Sequence, residues 1–425
     1  MRRRFLEWTA ILVLAVALGT APTYGAAFGI FEQGTKAMGM AGAFTAQADD
    51  GSAIFHNVAG LGFQTEGGFY VGTTLITISE STFEGANPFP GEGVSGEQKS
   101  AIFFPSHVYY VRPMNERVVL GFGLNNPFAL ATDWDDPDEW AGRFISNHAE
   151  LRTFDLSANL GWRLTNNFSL GFGLIYRLTE VTLERHVPSI NPFTQQVIDI
   201  AAVELESDLG GELGFSFGFL HKPNPNFSWG FSYRGAVEAD LEGDGNFTQI
   251  STGNAALDAI VATQLPFDQA VGLETTINFP DMASLGFALQ VTNNVLVEVD
   301  INWTGWSEFD TVFLDFDVDT FDQTLEQEYE DAYNYRIGAA IDTSSGNQWR
   351  IGFVYDETPQ PDESVGPLLP DADRFGITLG YGWQDKLDLA LMYLPFDERS
   401  TDVNRDNFNG TYETTAWLLG ISYGF

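Results

Sequence analysis

The chain of 425 residues is 44% hydrophobic, carries a formal net charge of -38 and contains no cysteine. Disulfides and thiolate metal centres are thereby excluded, and nucleic acid is excluded as a partner because polyphosphate binding needs clustered Lys and Arg. The 44 Gly and 36 Phe, with 14 Tyr and 10 Trp, suit many strands joined by tight turns and bearing an aromatic surface.

The chain opens on Arg2, Arg3 and Arg4, continues through the apolar run Ala10 to Leu18, and reaches Pro22 and the small residues Gly25, Ala26 and Ala27. This is the layout of an export signal, expected over residues 1–25. The run is shorter than the roughly 20 apolar residues of a spanning helix. Residues 26–66 are rich in Gly and Ala and lack sustained alternation. They are expected to fill a lumen as an N-terminal plug, a flexible tail being the other reading. Nothing further along is an uninterrupted apolar span of helix length, so if residues 67–425 cross a membrane they do so as a closed barrel.

Within that region a two-residue period recurs, with the same chemistry on each face. Phe154, Leu156, Ala158, Leu160 and Trp162 alternate with Thr153, Asp155, Ser157, Asn159, Gly161 and Arg163. Phe168, Leu170, Phe172, Leu174, Tyr176 and Leu178 alternate with Ser169, Gly171, Gly173, Arg177 and Thr179. The pattern returns at Phe227, Trp229, Phe231 and Tyr233, then at Phe375, Ile377, Leu379, Tyr381 and Trp383, and in the last strand at Trp417, Leu419, Ile421, Tyr423 and Phe425. A soluble sandwich also alternates, but it sets charged and long polar residues opposite its apolar face. Here that face holds Gly, Ser and Thr, which suits a narrow or filled bore, while the bulky stripe suits lipid.

Short turns are expected at 113–116, 165–167, 223–226, 292–294, 344–347 and 384–385. Between them lie long polar connections, near 80–98, 127–149, 185–208, 241–279, 303–330, 357–372 and 395–410. Short and long alternate as in outer-membrane barrels. The expected fold is therefore all-β: a transmembrane antiparallel β-barrel of about 14 strands, residues 67–425, with the N-terminal plug inside it. The expected location is the bacterial outer membrane.

The residues resemble the long-chain fatty acid transporter family, which includes outer-membrane proteins for toluene and related hydrocarbons. The likeness runs through Phe28-Gly29-Ile30, Ala48-Asp49-Asp50 and Asn57-Val58-Ala59, then Asn126-Pro127-Phe128 to Trp134 and Trp140-Ala141-Gly142-Arg143. It continues through Trp303-Thr304-Gly305-Trp306-Ser307, Asp356 to Pro361 and Leu369 to Arg374. The order and spacing of these phrases carry the match over essentially the whole chain after the signal. It implies a monomeric barrel that passes hydrophobic solutes without a cofactor, with gating at Asn57, Val58 and Ala59. It also implies a lateral opening in the third strand, where Gly121 and Gly123 precede Asn125-Asn126-Pro127 and an interruption is expected. Two departures stand out. Val58 occupies the place of the family's Pro, so a fixed φ is lost there. Arg185 matches one of two bases that meet a carboxylate, while Leu325-Glu326-Gln327-Glu328 offers no second base.

A hydrophobic solute needs an apolar landing site and a dry route. Phe128, Leu130, Trp134, Trp140, Phe144 and Ile145 in one connection, with Val187, Ile190, Phe193, Val197 and Ile198 in the next, are expected to form that groove, and Arg185 to orient a carboxylate. Mutual packing of the two connections is the alternative. Arg163, Arg177, Arg234, Arg350 and Arg374 are expected to pair with acids of the plug or lumen. The histidines at 56, 107, 148, 186 and 221 are scattered and no nucleophile motif accompanies them, so neither an enzyme nor a metal site is expected. The function expected is passive transport of long-chain fatty acids, with uncharged alkanes or aromatic hydrocarbons as alternative cargo and an outer-membrane lipase or acyltransferase as the rival class. The partners expected are the hydrophobic ligand and outer-membrane lipid with lipopolysaccharide.

Overall fold

The computed structural model describes residues 27–425; the expected export signal, 1–25, lies outside the described residues. Fourteen antiparallel strands follow one another around a closed cylinder. They are β1 (Gly68–Gly85), β2 (Ser106–Pro113), β3 (Val118–Asn125, resuming at Ala129–Asp133), β4 (His148–Thr165) and β5 (Phe168–Ile190). Next come β6 (Val197–Ser207 and Gly210–Asn224), β7 (Phe227–Arg234 and Val237–Gln249), β8 (Val271–Phe279 and Met282–Thr292) and β9 (Val295–Thr304 and Thr311–Phe316). The last are β10 (Gln323–Glu326 and Ala332–Asp342), β11 (Asn347–Asp356), β12 (Arg374–Trp383), β13 (Leu387–Pro395) and β14 (Gly410–Gly424). Three shorter ladders, at Ser95–Glu97, Ile102–Phe103 and Arg399–Thr401, attach to β1 and β14.

The cylinder closes where β14 pairs with β1 from Tyr70↔Gly424 to Gly85↔Gly410. Closure satisfies the backbone without water, the condition for a sheet in lipid. The tight turns fall where expected; between β12 and β13, Gln384 and Asp385 both take positive φ, 53° and 52°.

The long connections differ from expectation. Much of 185–208 and 241–279 is strand, since β5 runs to Ile190, β7 to Gln249, and β8 starts at Val271. The reason is an inversion of polarity along the same wall. In the lower half Phe172, Leu174, Phe215 and Ile377 point outward and are exposed, with Gly, Ser and Thr inside. In the upper half Val203, Leu205, Leu241, Leu273 and Leu314 are buried inside, while Glu204, Glu206, Asp240, Glu242 and Glu274 are exposed outside. Lipid solvates the first band and water the second. Where β7 passes between them, Gly235 and Ala236 interrupt the ladder and switch odd-numbered side chains from outside to inside, as a bulge does.

Candidate functional site

Residues 27–63 pack against the inner wall of the cylinder, and most of them are buried. They fold as short turns of helix, Thr35–Met38, Ala53–His56 and the 3-10 segment Val58–Phe63. Inward glycines of the wall form their seat. A Cβ at Gly171 would stand 2.3 Å from the Ala59 amide nitrogen, one at Gly352 2.4 Å from the Met40 carbonyl carbon, and one at Gly161 2.5 Å from the Gly62 nitrogen. Backbone meets backbone there because no side chain intervenes.

Asn57 is fully buried and binds in three directions: Nδ2 donates to the carbonyls of Thr45 (2.8 Å) and Phe219 (3.1 Å), and Oδ1 accepts from the Ala59 amide (3.1 Å). Val58 packs with Ile54, Leu61 and Tyr109, and the Ala59 carbonyl accepts from Ser169 Oγ at 2.5 Å. The trio thus fastens the segment to the wall without the missing proline. Gly121 and Gly123 do not interrupt β3. They pair in register with Asn159 and Ser157, and a Cβ on either would strike Ile54. The break comes later, at Asn126–Phe128.

At that break the lost ladder is replaced by side chains. Gln33 Nε2 donates to the Asn126 carbonyl and Gln33 Oε1 accepts from its amide. Thr153 Oγ1 bonds both the amide and the carbonyl of Phe128. The N-terminal segment adds its own backbone bonds, Ile30 to Pro127 and Ala129 to Phe28. Gln33 and Thr153 carried no sequence signal, since each is an ordinary polar residue until the strand it completes is known.

Just above the break β3 ladders with β4 (Ala129↔Arg152), while β2 ends at Ser106, opposite Thr73 of β1, and the other edge of β3 is met again only higher up, where the Lys99 amide donates to the Asp133 carbonyl. The wall is open between these two levels. A cavity of about 490 Å³ runs through this gap, lined by Phe28, Phe31, Ile76, Phe103, Ala129, Leu130, Leu369 and Met392, and it reaches the outward-facing Phe104 and Phe154. At its lumen end stand Arg374, paired with Asp356 (3.1 Å), Arg336, 3.9 Å from Glu32, and Asp371. Burial raises the Asp371 carboxyl above its ordinary pKa, against the pull of Arg374 and of hydrogen bonds from Thr358 and the Ala27 amide.

The expected groove residues are distributed over five places. Phe128 is wholly buried among Phe28, Phe279 and Trp306, with Leu130 packed against the same cluster. Trp134 and Trp140 stack at 4.2 Å in a cluster with Phe83 and Phe408, and Ile145 abuts it. Phe144 is half-buried under the Arg143 guanidinium. Val187 and Ile198 pack among the upper apolar residues, whereas Ile190, Phe193 and Val197 are exposed at the β5–β6 hairpin. These side chains do not line one continuous groove, because strand extension lifts the hairpin tip away from the bore.

Arg185 stands between Leu183 and Val187 on β5, beside the upper apolar cluster that includes Val203, Leu205, Leu314 and Phe316. It donates to Gln323 Oε1, and its Nε is buried without a partner. A second base reaches this neighbourhood from an unexpected direction: Arg405, in the connection before β14, pairs with Glu328 and lies 3.7 Å from Glu326. Asp406 feels both arginines, although burial raises its pKa overall.

Of the five arginines singled out by the sequence, four pair with carboxylates of the wall, whereas Arg336 reaches Glu32 of the N-terminal segment. Arg177 and Arg234 share Asp155 (2.8 and 3.2 Å), Arg350 meets Asp388 (2.5 Å), and Arg374 meets Asp356. Arg163 instead donates to the Glu116 carbonyl in a turn. Lys36, in the segment itself, pairs with Asp49 at 2.8 Å.

A closed fourteen-stranded cylinder, apolar outside below and acidic outside above, with residues 27–63 packed against its inner wall, is an outer-membrane barrel. Residues 16–425 match the family described as outer membrane protein transport protein (OMPP1/FadL/TodX), and the chain belongs to that family. It is 24% identical to the long-chain fatty acid transport protein of Escherichia coli K12, covering 100% of both chains. It is also 24% identical to outer membrane protein P1 of Haemophilus influenzae, covering 98% of this chain and 99% of that one. Among solved structures, a Pseudomonas aeruginosa FadL homologue superposes with a TM-score of 0.80 at 20% identity, covering 94% of this chain and 99% of its own. The toluene transporter TodX of P. putida gives 0.69 at 15%, covering 95% and 99%. These likenesses establish the shared fold.

Proposed function

We propose that the chain is a passive outer-membrane transporter of hydrophobic compounds, with long-chain fatty acids as its first cargo, and that it catalyses no reaction. The observation that carries this reading is the 490 Å³ cavity passing through the wall beside the interrupted β3. Residues 26–66 act as the plug. Seated on glycines, they leave a solute no route down the bore, so its exit is sideways into the lipid. Asn57, Val58 and Ala59 hold the plug, and Gly121 and Gly123 admit it. Residues 1–25 serve as the removed export signal, and the barrel works as a monomer among lipid and lipopolysaccharide.

Solute lands on Ile190 and Phe193 at the hairpin. It then passes the upper cluster near Val187, and a carboxylate is met by Arg185, whose Nε is free to donate. Leu130 and Phe128 lie further in, while Trp134, Trp140, Phe144 and Ile145 brace the wall beside the cavity. Each methylene that stays dry contributes about 0.8 kcal/mol, so the chain supplies affinity and the arginine orientation. The P1 and fatty-acid transport relatives support the transport reading. Uncharged alkanes or aromatics form the second reading, favoured by Gln323 standing opposite Arg185 where a second base would complete a carboxylate clamp.

The test is mass-spectrometric identification of lipid co-purified from native membrane, together with uptake in a deletion strain. Oleate uptake restored by the natural chain and lost in Arg185→Ala is expected. Hydrocarbon uptake indifferent to that change selects the second reading. Esterase activity abolished by a single Ser substitution would overturn both.

A further inference from the structure

At one level the N-terminal segment is tied to the wall through two acidic side chains. Ala41 and Gly42 take successive positive φ, 55° and 79°, and turn the chain toward β9. The next amides, Phe44 to Gln47, have no backbone acceptor among the described residues. All four donate to two wall carboxylates. Asp300 Oδ2 receives Phe44 and Thr45, each at 2.9 Å, and Glu298 Oε1 receives Ala46 at 2.5 Å and Gln47 at 3.3 Å. The carbonyls are held as well: Ala41 by Arg336 (2.8 Å), Thr45 by Asn57 (2.8 Å) and Ala46 by Ser228 Oγ (2.9 Å).

Both carboxylates are completely buried, and neither has a Lys, Arg or His within ion-pairing distance among the described residues. Burying these acidic side chains is costly unless their oxygens are hydrogen-bonded, and the amides of the turn supply those bonds, so wall and turn need each other. Gly286 and Gly338 flank the pair across the ladder and let the turn come close; a Cβ at Gly286 would lie 2.8 Å from Thr45 Cβ.

We infer that Glu298 and Asp300 are positioning residues for transport: they latch the 41–47 turn across the bore and so keep it shut to ions and water while solute leaves through the wall. The inference rests on the plug reading above. One carboxyl oxygen accepting two successive amides makes a hold that an apolar side chain of similar size cannot reproduce, since it leaves all four amides without an acceptor.

The experiment is single-channel recording in planar bilayers on full-length protein processed and folded in the outer membrane. The natural chain is expected to be silent, and E298L/D300L, which removes every acceptor of the four amides, to show ion-conducting steps with open time raised about tenfold or more. Heat-modifiable migration checks that the barrel is folded; a folded double variant as silent as the natural chain overturns the latch. E204Q/E206Q, on the outer face, should stay silent, and equal leakage there would mean general weakening and sink the latch. If the double variant does not fold, E298L alone is decisive on the same readouts. Failure of hydrophobic uptake by the natural chain would defeat the transport reading while leaving the conductance comparison intact.

Discussion

Gln33 and Asn126, 93 residues apart, are joined like strand partners: Gln33 Nε2 donates to the Asn126 carbonyl at 2.5 Å and its Oε1 accepts from the Asn126 amide at 3.2 Å. One side-chain amide thereby completes a ladder that Pro127 has cut. The wall can be open at this level and still leave few backbone groups unpaired.

Replacing Gln33 by Leu removes both bonds at similar volume. A buried backbone group without a partner costs about 1–3 kcal/mol. Q33L is therefore expected to raise amide exchange at Asn126 and its neighbours by one to two orders of magnitude, about what that energy predicts, while exchange in β12 stays unchanged. Hydrogen-exchange mass spectrometry in detergent checks this, and equal protection in both proteins would contradict the pairing.

The wall opening predicts a second outcome. Ala131 lines the cavity beside β3, and Ala131→Trp fills the passage without touching Arg185. Oleate uptake is expected to fall about tenfold or more, whereas binding to the purified protein persists because the upper cluster supplies most of the apolar contact. Loss of binding in step with uptake would place the ligand's main site in the gap.

Most of the barrel is legible from periodicity, because a lipid-facing strand must repeat every two residues; the runs from Phe168 and Phe375 announce themselves in this way. The upper strands are hidden for a physical reason. In Val237-Glu238-Ala239-Asp240-Leu241-Glu242 the alternation is equally strict, but its polar face is acidic, which reads as loop when lipid-facing strands are the template. The inversion becomes visible only when the inner residues are seen to bury one another. Arg185 was legible through resemblance. Arg405, Gln33 and the Glu298–Asp300 pair were not, since each acts on a residue more than 75 positions away and nothing local marks it.

Asp371 gives a pH dependence. Its folded pKa is raised by burial above the ordinary 3.8. The fold therefore favours the protonated form: its contribution is full below the unfolded pKa and is lost as pH rises through the folded one. Asp371→Asn mimics the protonated state. Proteolytic protection of the connection 357–373 should match the natural chain near about pH 4 and exceed it near about pH 8. A difference that stays constant with pH would show that this carboxyl does not titrate as its burial dictates.

Gly171 offers a test of the seat itself. It is paired with Gly161 on β4 and Gly218 on β6, and all three present their α-carbons to residues 57–62. At Gly171 the intruding atoms would be backbone, the Ala59 nitrogen and the Val58 carbonyl carbon, both 2.3 Å from a new Cβ. Backbone held by Asn57 and Ser169 cannot swing aside as a flexible side chain would. Overpacking of this kind typically costs about 1–3 kcal/mol. In Gly171→Ala the strand should gain slightly in β propensity while the segment 57–62 is pushed off the wall. The two effects separate in a single measurement: exchange should accelerate at residues 57–62 and remain slow along β5. Gly214 provides the comparison, since a Cβ there would meet only wall side chains, Val237 Cγ2 at 2.8 Å and Ile175 Cβ at 3.8 Å, and no atom of the segment. Gly214→Ala is expected to leave the segment's protection unaltered. Equal acceleration in both variants would mean that the segment is loosened by any change in the wall, and the glycine seat would lose its special standing.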